Sequence, residues 1–246
     1  MSLRLFIMRH GETEWTLSGQ HSGRAAISLT ENGKAEAKAM GERIRDIEFS
    51  TILVSPLHRA RQTCEWAGLS EHAKFDEDLA EWDNGGYEGR TTEEILAENP
   101  GWNLYHDGCP GGEQPMQVSQ RVDRFIDSLK KLDGDIAIVS HGHLIRVLAA
   151  RWLGLSVSFG QHLLLDTASI SILCLEHDRW DQPAILLWNS SNRFNGHRRL
   201  PPSSDTQSEA TTNKQRSLER WENEGGDVLV ASNSVAPNQF NATRMP

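Results

Sequence analysis

Leu3-Arg4-Leu5-Phe6-Ile7-Met8-Arg9-His10-Gly11-Glu12-Thr13 is the stretch on which the fold turns. Residues 3–8 form an apolar run broken only by Arg4, too short for a signal-peptide core and without a small-residue cleavage site. Such a run, stopped abruptly by polar residues and glycine, reads as a strand buried on both faces. A histidine after a strand is most often a cap or a core residue. Between Arg9 and Gly11, His10 is an odd structural choice and draws attention as chemistry.

Outward from that strand the pattern repeats. Thr51-Ile52-Leu53-Val54 and Asp135-Ile136-Ala137-Ile138-Val139 are further buried strands, and residues 170–175 and 184–188 complete the set. Between them lie helical periodicities. Thr30 reads as an N-cap before Met40, Ile44 and Ile47; residues 57–66 form a second helix, and Thr91-Thr92-Glu93-Glu94 opens a short one. Val118, Val122, Phe125, Ile126 and Leu129 mark a long amphipathic helix, and residues 143–153 another. Strands alternating with helices predict an α/β three-layer sandwich, a mostly parallel sheet with helices on both faces.

Composition bounds the rest. The chain has 246 residues and a net charge of -9, a balance that argues against non-specific nucleic-acid binding and against a membrane-surface role. No stretch approaches the roughly 18 apolar residues of a membrane span. Cys64, Cys109 and Cys174 are too few and too scattered for a disulfide framework or a thiolate metal site, which predicts a reducing, cytoplasmic setting. Near Asn195 the composition turns polar, with Pro201-Pro202-Ser203-Ser204 leading into Ser, Thr, Asn, Gln and Glu. The expected organisation is a folded domain over 1–195 and a disordered tail over 196–246. Oligomeric state is open.

In open α/β sheets ligands gather at the carboxyl ends of the strands. The first strand ends on Arg9 and His10, the second on Ser55-Pro56-Leu57-His58-Arg59-Ala60-Arg61-Gln62-Thr63, and the third on Ser140-His141-Gly142-His143. Two arginines and several histidines therefore converge on one sheet edge of an acidic protein. That predicts an anion site, with a phosphoryl group as the natural guest.

These three elements in order, with Leu79-Ala80-Glu81-Trp82-Asp83 between the second and third, resemble the histidine phosphatase superfamily in its phosphoglycerate-mutase-like branch. The resemblance spans residues 3 to about 190. It implies a phosphoglycerate-mutase-like fold, His10 as nucleophile forming a phosphohistidine, Arg9 and Arg59 as clamps on the phosphoryl oxygens, and a protonated His141 as a further donor. Glu81 would protonate the leaving oxygen and then activate water, although Asp78, Asp83 and Glu88 compete for that role nearby. No metal or other cofactor is implied, and the spacing of His10, His141 and His143 lacks the Asp-x-His or His-x-x-x-His pattern of a metal site.

The resemblance also separates hydrolysis from transfer. The mutases carry Asn where this chain has Thr16 and His143, and they add basic residues in the segment that here runs from Glu98 to Gln114 without Lys or Arg. The chain is similar instead to sugar-phosphate and acid phosphatases of the branch, sedoheptulose bisphosphatase among them. Thr16, Gln20, Ser22, Gly23, Gly142 and His143 are expected to contact substrate. Trp102, His106 and Glu113 are candidates to meet a polyol chain, the alternative being that Trp102 and Tyr105 are ordinary lid packing. Arg24 and Arg90 are candidates for a second phosphate. The expected activity is hydrolysis of a small phosphomonoester, the alternatives being a mutase and a non-catalytic phosphate-binding scaffold.

Overall fold

The computed structural model describes residues 2–191; the expected domain boundary at 195 and the tail over 196–246 lie outside the described residues. Six strands form one sheet in the order β3-β2-β4-β1-β5-β6: β1 (Arg4–Arg9), β2 (Thr51–Val54), β3 (Ala73–Phe75), β4 (Asp135–Ser140), β5 (Ile170–Leu175) and β6 (Pro183–Ser190). The helices are α1 (Glu14–Ser18), α2 (Glu31–Ile44), α3 (His58–Trp66), α4 (Thr92–Glu98), α5 (Leu104–Asp107), α6 (Pro115–Leu129) and α7 (Gly142–Trp152).

The layers follow from the two-residue period of the central strands. Leu5, Ile7, Ile136 and Ile138 face one way, into a core with Val118, Val122, Phe125 and Leu129 of α6 and Leu144 and Leu148 of α7. Phe6, Met8, Ala137 and Val139 face the other, into a core with Met40 and Ile44 of α2 and Ala60 and Cys64 of α3. Both faces are covered, so these strands read as unbroken apolar runs. The fold is the three-layer α/β arrangement that the sequence predicts.

The sheet is mixed. Strands β3, β2, β4 and β1 are parallel, but β5 runs antiparallel to β1, and β6 antiparallel to β5. Residues 176–182 link β5 to β6, too few for the dozen or so of a parallel crossover, so the pair closes as a hairpin. Three elements escape the sequence reading: the three-residue edge strand β3, with Lys74 and Phe75 exposed, and the short helices α1 and α5.

Helix α2 starts where expected, with Thr30 Oγ1 accepting from the Gly33 amide at 2.9 Å. Its first turn abuts the loop after β1 so closely that a Cβ on Gly33 would lie 2.1 Å from the Glu12 carbonyl oxygen. Glycine here is a packing requirement that presses the loop after His10 into place.

Candidate active site

The carboxyl end of β1 is pinned from both sides. The His10 amide donates to the Ser140 carbonyl at 2.9 Å, and its own carbonyl accepts from Ala168 at 3.1 Å. The ring is buried. Its Nδ1 lies 2.8 Å from the Gly11 carbonyl, which can only accept, so Nδ1 carries the proton. Nε2 then accepts from Nε of Arg59 at 3.2 Å. Burial, followed by the charges of Arg59 and Arg9, holds the His10 pKa well below 6.5. At neutral pH the ring is uncharged, with its lone pair on Nε2.

Arg59 sits in the first turn of α3, fully buried, and donates to the carbonyls of Gly23 at 2.9 Å and Ala25 at 3.1 Å. Burial lowers its pKa to about 10 while Glu81 opposes the shift, so it stays cationic. Arg9 is buried too and donates to the Leu165 carbonyl. A Cβ on Gly142 would lie 3.2 Å from the Arg9 guanidinium carbon, so a side chain there would crowd it.

His141 caps α7, with Nε2 2.6 Å from Ser55 Oγ and its ring centroid 5.2 Å from that of His10. Its Nδ1 is buried and has no hydrogen-bond partner among the described residues. Burial, then Arg59, His10 and Arg9, hold its pKa well below 6.5. The protein groups alone therefore keep His141 neutral, and the protonated form that the resemblance implies requires the negative charge of a phosphoryl group to outweigh them.

Glu81 faces this group across the sheet edge. Its Oε1 accepts from the amides of Trp82 at 2.8 Å and Leu144 at 2.9 Å, and Oε2 accepts from that of His143 at 3.2 Å, placing the carboxylate on the N-terminus of α7. The competing acids are committed elsewhere. Asp78 pairs with Arg124 at 2.9 Å, Asp83 caps the Gly85 amide at 2.9 Å, and Glu88 accepts from the Arg24 amide at 2.7 Å.

Arg9, His10, Glu81, Gly142 and His143 line a cavity of about 30 Å³, closed by Trp15, Thr16, Gly19, Gln20, His21 and Ser22. Of the residues expected to meet substrate, Thr16, Gln20, Ser22, Gly142 and His143 are on this wall. The Thr16 hydroxyl is engaged in a capping box with Thr13, and the Gln20 amide with Ser18 and Gly89. Gly23 is off the wall and serves Arg59 through its carbonyl. Trp102 and His106 are off this wall. The Trp102 indole donates to the Gly108 carbonyl at 2.8 Å, which buries the ring behind His21, and His106 is exposed on α5. Glu113 is likewise occupied, gripping Arg121 at 2.7 Å, and Arg90 pairs with Glu98 at 2.8 Å. Arg24 is exposed and has no ion pair among the described residues.

Sequence reading missed Trp15, Gly19 and His21, whose places depend on how α1 folds the loop. His21 stacks on His143 with ring centroids 5.6 Å apart. Among the described residues no three His, Cys, Asp or Glu are grouped to hold a metal ion, and no helix is long and apolar enough to cross a membrane.

His10, neutral and with its Nε2 lone pair facing Arg59, together with Arg9 and Glu81 on the cavity wall and with Arg59 and His141 beside the His10 ring, forms a site suited to phosphoryl transfer. The chain belongs to the histidine phosphatase superfamily (branch 1), whose model matches residues 5–191, in agreement with the resemblance carried by its motifs. It is 37% identical over 178 residues to an acid phosphatase of Mycobacterium tuberculosis, an alignment covering 71% of this chain and 87% of that one. It is 32% identical to the sedoheptulose 1,7-bisphosphatase of Saccharomyces cerevisiae, covering 75% and 92%. A solved structure of an M. tuberculosis open reading frame product superposes with a TM-score of 0.72 at 34% identity, covering 76% of this chain and 97% of that one. This is a histidine phosphatase, of a superfamily whose phosphatases need no metal ion.

Proposed function

We propose that this chain hydrolyses a small phosphorylated metabolite, a sugar phosphate or sugar bisphosphate, through a phosphohistidine on His10, and that it does so in the cytoplasm. The observation that carries the mechanism is the His10 ring. Its proton is held on Nδ1 by Gly11, its Nε2 faces Arg59, and its pKa is lowered by burial and two arginines. The substrate class draws support from the bisphosphatase and acid phosphatase relatives.

In the first half-reaction Nε2 attacks phosphorus, the phosphorus–oxygen ester bond breaks, and Glu81 as the acid gives its proton to the departing alkoxide. Arg9, Arg59 and His141 offset the charge on the three non-bridging oxygens, the work that a metal performs in other phosphatases. In the second half-reaction Glu81, now a carboxylate, takes a proton from water as its oxygen attacks the phosphohistidine. Inorganic phosphate leaves and His10 is regenerated.

The test is a screen of phosphorylated metabolites for phosphate release, joined to trapping of an acid-labile, base-stable phosphoenzyme. His10→Ala is expected to abolish both signals and keep its fold by circular dichroism. A fully active His10→Ala protein overturns the mechanism, and release confined to esters without a polyol overturns the substrate class.

A further inference from the structure

We propose that Arg121 and Glu113 are positioning residues for Glu81, an inference that rests on the reading of Glu81 as the acid. Arg121 lies on α6 beside the buried Val118, Val122 and Phe125, and its side chain is only 7% exposed. A guanidinium buried there must have its donors satisfied. Five hydrogen bonds do so. Nε and one terminal nitrogen grip the two Glu113 oxygens at 2.8 and 2.7 Å. The remaining contacts go to the carbonyls of Asp78 at 2.8 Å, Ala80 at 2.7 Å and Glu81 at 3.4 Å.

Three of the four residues from Asp78 to Glu81 thus hang on one cation. Glu113 completes the grip from the other side. Its carboxylate accepts from the Asp83 amide at 2.9 Å, its carbonyl from the Trp82 indole at 2.9 Å, and its amide donates to the Asp83 carbonyl at 2.9 Å. Every residue flanking Glu81 is therefore tied, directly or through one neighbour, to the Arg121–Glu113 pair. The Glu81 carboxylate is held in front by α7 and its backbone is held behind by this pair. A proton donor must sit within hydrogen-bond reach of the leaving oxygen, and a displacement on the order of 1 Å is enough to lose about 10²-fold in rate. The fork is what makes the arrangement possible, because a lysine ammonium cannot span a carboxylate and three carbonyls at once.

The experiment compares two esters, 4-nitrophenyl phosphate, whose leaving group departs without a proton, and glycerol phosphate, whose alkoxide needs one. The parent, Glu81→Gln, Arg121→Lys and Glu113→Gln are measured as kcat/KM, which reports the steps through departure of the alcohol. Arg121→Lys and Glu113→Gln are expected to lose at least tenfold more on the alkyl ester than on the nitrophenyl ester, the pattern of Glu81→Gln in weaker form. A role confined to stability lowers both esters by one factor, and that result overturns the proposal. Glu113→Gln keeps shape and size, so it decides the matter if Arg121→Lys does not fold. If Glu81→Gln itself treats both esters alike, the assignment of the acid fails and the proposal with it, an outcome distinct from selective failure of the Arg121 and Glu113 variants.

Discussion

Nε of Arg59 donates to Nε2 of His10 across 3.2 Å, so the nitrogen that would attack phosphorus points at the guanidinium that would hold the phosphoryl oxygens. The rest of that guanidinium is fixed by the Gly23 and Ala25 carbonyls, and it cannot swing away without leaving buried acceptors unpaired.

Substituting Arg59 therefore separates charge from geometry. Arg59→Lys keeps the charge and loses the fork. It is expected to lose about 10²–10³-fold in kcat/KM, the scale for removing one oriented donor at a transition state. Steady-state kinetics with any accepted ester measures this. Retention of more than a tenth of the parent value would show that charge alone suffices.

Stability should fall in mild acid, and the buried His10 and His141 set the window. His10 and His141 titrate well below 6.5 in the folded chain and near 6.5 when unfolded. Below pH 6.5 the unfolded chain takes up protons that the folded chain refuses, so stability is full above that value and declines beneath it. Each histidine contributes a slope of up to about 1.4 kcal/mol per pH unit. Denaturant unfolding at pH 7.5, 6.5 and 5.5 is expected to show the decline, and His141→Gln to make it shallower. A parent whose unfolding free energy is flat to pH 5.5 contradicts the assignment.

Close packing behind the nucleophile loop gives a third expectation. A methyl group on Gly33 would meet the Glu12 backbone oxygen at 2.1 Å, and backbone on both sides leaves nothing soft to give way. Gly33→Ala is expected to cost about 1–3 kcal/mol of stability, the range for overpacking, and to reduce activity beyond the loss of folded protein. Thermal unfolding and kinetics on the folded fraction separate the two effects. An alanine variant with parental melting temperature and rate would mean that the loop moves freely against α2.

The parts of the molecule legible in the sequence share a physical cause. Strands β1, β2 and β4 are covered on both sides, so burial writes them as continuous apolar runs, and their carboxyl ends carry Arg9, His10, Arg59 and His141 at short, fixed offsets. Strand direction leaves no such trace in composition; the brevity of residues 176–182 betrays that β6 runs antiparallel to β5, but not that β5 runs antiparallel to β1. Trp102 was open to two readings because an indole serves a sugar or a core equally well. In the structure it packs among core residues with its indole donating to the Gly108 carbonyl. Arg121 did leave a signal, a charged residue one helical turn from the buried Val118 of α6, where only a satisfied cation can stay.

Hydrolysis rather than transfer is the last expectation, and it rests on what the cavity can hold. A phosphohistidine is resolved by water or by a second hydroxyl, and a phosphoglycerate mutase must anchor the substrate carboxylate long enough for the hydroxyl to win. Among the described residues that line the cavity, Arg9 is the sole Lys or Arg, and it belongs to the phosphoryl side. The segment from Glu98 to Gln114 adds no cation, and its Glu113 is committed to Arg121. Thr16, where the mutases carry Asn, engages its hydroxyl with Thr13, and His143, at the other such position, lies stacked on His21. A carboxylate brought into this cavity would lose water without gaining a counter-charge, at a cost of several kcal/mol. Incubation with 3-phosphoglycerate, with and without 2,3-bisphosphoglycerate as primer, is expected to yield little 2-phosphoglycerate, while sugar phosphates release inorganic phosphate. Isomerisation outrunning phosphate release from every ester tested would assign the chain to transfer and require an anchoring cation supplied from outside this wall.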